Sequence, residues 1–307
     1  RQALEAGAAA AMVAQDWDGI GAAGEAPLLL VPDTMEGLNG LARGARTRSA
    51  ARITAVTGSV GKTGTKEALA RVLAAQGRTE ATLGNLNNQW GLPLSLSRMP
   101  REARYGVFEL GMNHAGELAP LSRLLRPHLA IVTTVEAVHL EFFESEAAIA
   151  DAKAEIFAGM NGDGAALLNS ENVHFARLAR VARMAGVGRV LAFGTREDAD
   201  FRLVDWGIVG SGNRVEADIA GRRVEFQTGA PGRHWAITGV CVLGAAHLLG
   251  ADVEAAGRLL AEVEPPKGRG SQTVVSLPGG GSYTAVSYTH LRAHETVLDL
   301  VCRLLLE

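Results

Sequence analysis

The sequence predicts an α/β protein: a mostly parallel sheet flanked by helices, with a small α/β piece ahead of it. Three observations carry that expectation. From residue 52 onward, short apolar runs alternate with helical patterns, the order of a parallel sheet covered on both faces. The stretch "ITAVTGSVGKTGTKEALARVL", residues 53–73, runs from a β-branched strand through a Gly-rich turn into a helix. Apolar residues make up 47% of the 307, enough for a large core.

Taken in order, "RQALEAGAAAAMVA" reads as the middle of an Ala-rich helix, so the natural N-terminus is expected upstream. "APLLLVPDT" is a short strand ending in a Pro-Asp turn, and "MEGLNGLARGAR" a helix. Arg43, Arg46, Arg48 and Arg52 read as a solvated basic connector. "RITAVT" is a strand, and "KTGTKEALARVLAAQG" a helix closed by Gly77. "YGVFEL" and "LAIVTT" are buried strands, separated by a helix with Leu118, Leu121, Leu124 and Leu125 on one side. "SEAAIADAKAEIFAGM" is a helix opened by Ser145 as its cap. "GAALLN" and "RVLAFG" are further strands. Residues 201–228 read as antiparallel strands with Gly-rich turns, followed by helices at about 234–250 and 252–262. The apolar run 235–251 is shorter than a bilayer span and carries His247, so it reads as a buried helix.

Charge and cysteine usage narrow the function classes. A net charge of −3 gives no electrostatic case for nucleic acid or an anionic membrane. Cys241 and Cys302 have neither metal-ligand spacing nor a disulfide framework, which points to a reducing, cytoplasmic setting.

The turn after the first central strand carries the chemistry. Backbone N–H groups of a Gly-rich turn and of a helix N-terminus converge on an anion. The common spelling places a glycine five residues before the Gly-Lys pair. Here that position is Val56, and the first glycine, Gly58, comes two residues late. The chemistry survives in compact form. Thr57, Gly58, Ser59, Val60 and Gly61 would wrap phosphate, Lys62 would hold the β- and γ-phosphates, and Thr63 would offer a hydroxyl to Mg²⁺.

That compact spelling, "TGSVGKT", resembles the ATP loop of the Mur ligase family, ATP-dependent amide-forming enzymes of peptidoglycan synthesis. Further segments resemble the branch that joins D-alanyl-D-alanine to UDP-N-acetylmuramoyl-tripeptide. They are "GNLNNQWGLPLSL" at 84–96, "FELGMNHAGEL" at 108–118 and "VHLEFFESEAAIADAKAEIF" at 138–157. The resemblance implies ATP and Mg²⁺, with Glu109 and His139 as metal ligands. It implies Lys153 as a carbamylated lysine serving the same site, and contacts near substrate or phosphate for Asn87, Asn88 and Asn113. Lys62, His139 and Lys153 would be the catalytic set. In "PPKGRG", Arg269 would lie near the nucleotide. In "GRHWAITGVCVLGAAHLLG", Thr238 stands where the family has an adenine-holding Asn. A hydroxyl cannot reproduce the paired contact of an amide.

Taken alone, these residues have plainer readings. Glu109 could be a salt-bridged strand end, His139 a satisfied polar histidine, Lys153 a solvated helix lysine, and the asparagines turn-formers. The functional alternatives are another ligase of the family or folylpolyglutamate synthase, and an ATP-binding module without ligase activity.

The resemblance divides the chain into a partial UDP-substrate domain at 1–46, a central ATP-binding domain at 47–285, and a tail at 286–307. After "GGGSYT" the family pattern stops, and the chain reads "AVSYTHLRAHETVLDLVCRLLLE", which resembles a translated sequencing adapter. The tail is therefore expected to be non-native, and the family's C-terminal domain to be absent. His290, His294 and Cys302 are not read as a metal site. The expected object is a cytoplasmic monomer that neither binds nucleic acid nor inserts into membrane.

Overall fold

In the computed structural model, the described residues are 5–21, 24–137, 140–265, 272–276 and 281–286. Two compact units, Arg1–Val263 and Glu264–Glu307, divide the chain. Within the second, strands β12 (Gln272–Ser276) and β13 (Ser282–Val286) pair as an antiparallel hairpin.

The first unit is built on a nine-stranded sheet. Its strands are β3 (Arg52–Thr57), β4 (Thr79–Ala81), β5 (Tyr105–Glu109), β6 (Leu129–Val132), β7 (Ala165–Asn169), β8 (Arg189–Gly194), β9 (Phe201–Val209), β10 (Gly212–Ile219) and β11 (Arg222–Thr228). The spatial order is 11-10-9-8-7-6-3-5-4. Strands β3 to β9 run parallel, while β10 pairs antiparallel with both β9 and β11. The antiparallel stretch expected at 201–228 thus extends the parallel sheet at one edge.

Among the described residues, eight α-helices cover this unit: α1 (Thr34–Arg48), α2 (Lys62–Ala74), α3 (Gly91–Ser97), α4 (Leu118–Leu125), α5 (Glu146–Ala154), α6 (Phe175–Met184), α7 (Arg233–Leu248) and α8 (Val253–Leu260). Along the central strands, alternate residues enter two different cores. Val56, Val107, Ile131 and Leu167 pack with Leu69 and Leu73 of α2 and Val240 and Leu243 of α7. Ile53, Ala55, Phe108, Ala130 and Leu168 pack with residues of α1, α3, α4, α5 and α6. A strand buried on both faces needs an unbroken apolar run, which is why these strands read as continuous rather than alternating.

Three expectations are corrected. The Ala-rich N-terminal stretch is not one helix: Ala11–Ala14 forms β1, paired in parallel with β2 (Leu28–Val31). Strand pairing overrides the helical propensity of alanine, and Gly7, at φ +92, leaves helical geometry upstream. The basic connector is not a solvated linker either. Arg46 and Arg48 lie in the last turn of α1. Arg46 Nε donates to the Leu125 carbonyl at 2.8 Å, and an Arg46 terminal nitrogen to the Arg126 carbonyl at 3.0 Å. A cation placed on the last carbonyls of α4 satisfies groups the helix leaves open. Helix α2 ends at Ala74 through a right-handed cap at Ala75, and Gly77 takes no left-handed conformation.

Ser145 caps α5 as read, accepting from Ala148 N, and Asp33, read only as part of a turn, caps α1 by accepting from Glu36 N. The helix over 145–160 tightens into a 3-10 turn at Glu155–Gly159. Helix α7 is largely buried, and no helix among the described residues is long and apolar enough to cross a membrane.

Candidate active site at the C-terminal ends of the central strands

Strand β3 lies between β5 and β6, and the chain winds to opposite sides of it. At such a switch point the strand ends open a crevice, where ligands bind in open α/β sheets. The β3–α2 turn, Glu109 and the loop after β6 all sit there.

The turn has the geometry its spelling implies. Gly58 has φ +149 and Gly61 φ +84, conformations that L side chains rarely adopt. Gly61 directly precedes α2 and makes no side-chain cap. The first N–H groups of α2 are therefore not taken by a side-chain cap, an arrangement that suits an anion. Thr133, just past β6, braces the turn by donating from Oγ1 to the Val60 carbonyl at 2.5 Å. Ser59 N donates to the Thr134 carbonyl, and Ser59 Oγ to the Glu136 carbonyl. Thr57 Oγ1 donates to the Leu110 carbonyl at 2.9 Å, tying β3 to the end of β5. Lys62 Nζ folds back onto the turn and donates to the Gly58 and Ser59 carbonyls at 2.6 and 3.2 Å. Thr63, half-buried, follows in the first turn of α2.

Glu109 is not a surface ion pair. It is 3% exposed at the end of β5. Asn87 Nδ2 donates to its Oε1 at 2.8 Å, while Oε2 is buried without a hydrogen-bond partner. A buried carboxylate oxygen left unpaired is costly unless a cation or donor joins it. The same Asn87 fixes the neighbouring backbone, since its carbonyl accepts from Gly111 N at 2.9 Å.

Lys153 is not a solvated lysine. It is 3% exposed in the last turn of α5. Burial, with the positive charge of Lys62 as the second cause, pushes its ammonium down to about 7. The structure thus brings Lys153 within electrostatic reach of Lys62, the lysine of the Gly-rich turn. Near neutral pH, much of its amine is uncharged and nucleophilic.

The other expected residues have mixed positions. Asn88 Oδ1 accepts from Trp90 N and Gly91 N, so this side chain shapes the entry to α3. Asn113 is exposed, and its N–H donates to Glu117 Oε2. Thr238 is half-buried in α7. Trp235, one turn earlier, packs its ring beside Gly64 of α2. His139, Arg269, His290, His294 and Cys302 lie outside the described residues. Cys241 is buried in the core, where desolvation holds its thiol well above the ordinary range and makes it inert.

Whether the residues fit Mg²⁺ turns on chemistry. Among the described residues no three His, Cys, Asp or Glu side chains converge as a ready-made metal cage. Of the expected donors, Thr63, Glu109 and Lys153 are described, whereas His139 is not. Mg²⁺ takes one or two protein oxygens and completes its shell with phosphate and water. The orphaned Oε2 of Glu109 suits that mode.

The plain sequence reading missed three residues. Glu155 accepts from Gly116 N at 2.6 Å through Oε1, and from Leu118 N and Ala119 N at 3.2 Å through Oε2. Its carboxylate thereby anchors the start of α4 and the loop that carries Asn113. No local pattern signals this, because donor and acceptor are about forty residues apart. Lys66, wholly buried in α2, and Thr82, buried at the end of β4, are the others. Lys66 had a signal: it shares a helical face with Leu69 and Leu73, three and seven residues on.

Comparison with known proteins agrees with this geometry. Residues 56–246 match the Mur ligase middle domain. The UDP-N-acetylmuramoyl-tripeptide–D-alanyl-D-alanine ligase of Escherichia coli is 35% identical over 269 residues, covering 87% of this chain and 58% of that protein. MurF from Acinetobacter baumannii superposes with a TM-score of 0.78 at 26% identity, covering 91% of this chain and 59% of that one. MurF ligase from Thermotoga maritima in complex with ADP superposes at 0.72 and 25% identity, covering 89% and 61%. The chain spans a little over half the length of the curated relatives it matches. A compact Gly-rich turn at a switch point, a buried strand-end glutamate and a buried lysine under the electrostatic influence of Lys62 are thus set in a sheet that follows these enzymes. The chain belongs to the Mur ligase family, and residues 56–246 are its middle domain.

Proposed function

We propose that this chain carries the ATP-binding, carboxylate-activating centre of a ligase that adds D-alanyl-D-alanine to UDP-N-acetylmuramoyl-tripeptide in peptidoglycan precursor synthesis. The observation that carries the reading is Lys153, buried beside Lys62 and depressed to about 7. A lysine placed only for stability gains nothing from such a position.

The turn amides and Lys62 hold the triphosphate of ATP and stabilise charge on the transferring γ-phosphoryl group. A terminal carboxylate oxygen of the tripeptide attacks the γ-phosphorus, and the bond to the β-phosphate oxygen breaks, releasing ADP. The amine of D-alanyl-D-alanine then attacks the acyl carbon. Phosphate leaves from the tetrahedral intermediate, the nitrogen loses its proton, and an amide remains. Mg²⁺ supplies charge neutralisation between carboxylate and triphosphate when bound. Thr63, Glu109, His139 and Lys153 would hold it. The neutral amine of Lys153 can add to carbon dioxide, forming a carbamate and releasing one proton. That step turns an uncharged amine into an anion at the position where the metal needs one. Asn87 keeps Glu109 oriented, and Asn88 and Asn113 border the substrate side. Arg269 is assigned to the nucleotide. The protein is proposed to be a cytoplasmic monomer, with residues 1–46 belonging to the UDP-substrate domain and residues 47–285 to the ATP-binding domain.

The test pairs ATP binding with tripeptide-dependent phosphate release. Lys62→Ala is expected to abolish binding, and a variant that bound normally would remove the loop from the site. In the tripeptide-dependent assay, Lys153→Ala is expected to lose activity, with partial rescue by added short carboxylates. Full activity in that variant would refute the carbamate role. A second reading is ATP binding without ligation; Thr238, whose hydroxyl cannot pair with adenine as an amide does, departs from the ligase pattern. Binding without phosphate release selects it for this chain.

A further inference from the structure

Lys66 is 0% exposed, and its ammonium lies inside the core-facing side of α2. A buried ammonium is destabilising unless paired, and an apolar side chain of similar length would pack there at lower free energy. Its partners show what it holds. Nζ donates to the Thr82 carbonyl at 2.8 Å and contacts the Glu67 carboxylate. Thr82 ends the β4 segment, where its own N–H donates to the Val107 carbonyl at 3.1 Å. Its hydroxyl oxygen accepts from Glu109 N, also at 3.1 Å.

These bonds form one path. Helix α2 carries Lys62 and Thr63 at its start and Lys66 one turn later. From Lys66 the path crosses to the Thr82 carbonyl, and from the Thr82 hydroxyl to the backbone of Glu109. It therefore links the element that holds phosphate to the residue whose Oε2 is buried and unpaired. Nothing in sheet pairing requires this link, since β5 is already paired with β3 and β4.

We propose that Lys66 and Thr82 are positioning residues that hold Glu109 in register with the phosphate loop, so that one divalent cation can touch Glu109 and the bound triphosphate together. This rests on Glu109 being a metal ligand. Loss of either link leaves the phosphate loop intact and moves Glu109. The expected effect is therefore on metal dependence, not on metal-free nucleotide binding.

The experiment measures ATP affinity of the full chain in EDTA and across a Mg²⁺ titration. Variants are Lys66→Met, Thr82→Val, Thr82→Ser and Glu109→Gln, each checked for native thermal unfolding. Lys66→Met and Thr82→Val are expected to keep metal-free affinity within about twofold and to raise the half-maximal Mg²⁺ concentration about tenfold, equivalent to about 1.4 kcal/mol. Thr82→Ser, which retains the hydroxyl, is expected to restore the parent value, which a general loss of packing would not do. If Glu109→Gln shifts the Mg²⁺ dependence and Thr82→Val does not, the positioning role is overturned and the metal reading stands. If Glu109→Gln shifts nothing, both fall. Should Lys66→Met not fold, the Thr82 pair decides the question alone.

Discussion

A methyl group added to Gly58 would lie 2.0 Å from Thr133 Oγ1, inside any permitted contact. The same hydroxyl is bonded to the Val60 carbonyl, so it cannot withdraw without releasing the turn. Gly58→Ala is therefore expected to destabilise the protein by about 1–3 kcal/mol through backbone strain and to weaken ATP binding by about tenfold or more, upwards of 1.4 kcal/mol. Adding Thr133→Ala removes the closest contact but neither the Thr134 carbonyl at 3.1 Å nor the strain at φ +149, so it should recover only part of the loss. Calorimetric binding of ATP to both variants checks this. Full recovery would show that contact alone demands glycine.

Lys153 predicts a pH dependence with a definite sign. Its folded value is about 7, against an ordinary 10.5. Between those values the unfolded chain binds more protons than the folded one, so stability rises with pH across that window. In carbon-dioxide-free buffer, denaturant unfolding should show increasing stability from about pH 7 to pH 10. Lys153→Met should flatten that rise and be the more stable protein near pH 7, while losing the proposed function. Lys62→Ala removes the second cause of the shift and should move the start of the rise upward. An unchanged profile in Lys153→Met would assign the dependence to another group.

How far the sequence revealed this site follows from the range of each interaction. Gly58, Gly61 and Lys62 are legible because backbone geometry and phosphate chemistry are written within a few consecutive residues. Ser145 and the apolar runs of β5 and β6 are legible for the same reason. Burial of Lys153 is not, because "EAAIADAKA" is more than half alanine and shows no clear apolar face. The plain reading of a solvated lysine failed there, and only the motif resemblance marked the residue. Glu109 announced a strand end, whereas its bond from Asn87 depends on a loop returning across the sheet. The Ala-rich N-terminal segment misled for the complementary reason, since local helix propensity yielded to pairing between β1 and β2.

Glu155 should matter more than its place two residues after Lys153 suggests. Its two oxygens accept three backbone N–H groups at the start of α4. Glu155→Ala leaves those donors without their carboxylate and removes a charge favourable to the helix dipole. A loss of about 1–3 kcal/mol is expected from the unmade bonds. Glu155→Gln, which keeps one acceptor oxygen, should lose less. Hydrogen exchange should place the loosening at residues 116–119, with the P-loop amides unaffected. Uniform loss of protection would assign Glu155 to the general core.

His128 sets an acid limit on the fold, far from the chemistry. Its Nδ1 accepts from Ile53 N at 2.9 Å, an arrangement available only to the neutral ring. Burial holds its pKa below the ordinary imidazole value, the charges of Arg46 and Arg52 lower it further, and Asp163 opposes them. The unfolded chain therefore takes up a proton first as pH falls below about 6.5, and stability declines from there until the folded ring is protonated. Protonation would leave Ile53 N, at the start of the strand that feeds the phosphate loop, without its acceptor, a loss of about 1–3 kcal/mol. His128→Asn keeps an acceptor oxygen near the position of Nδ1 and does not titrate. Its unfolding midpoint in urea should be nearly constant between pH 7 and pH 5, while that of the parent falls. Parallel decline in both would move the acid sensitivity to other groups and leave His128 a packing residue.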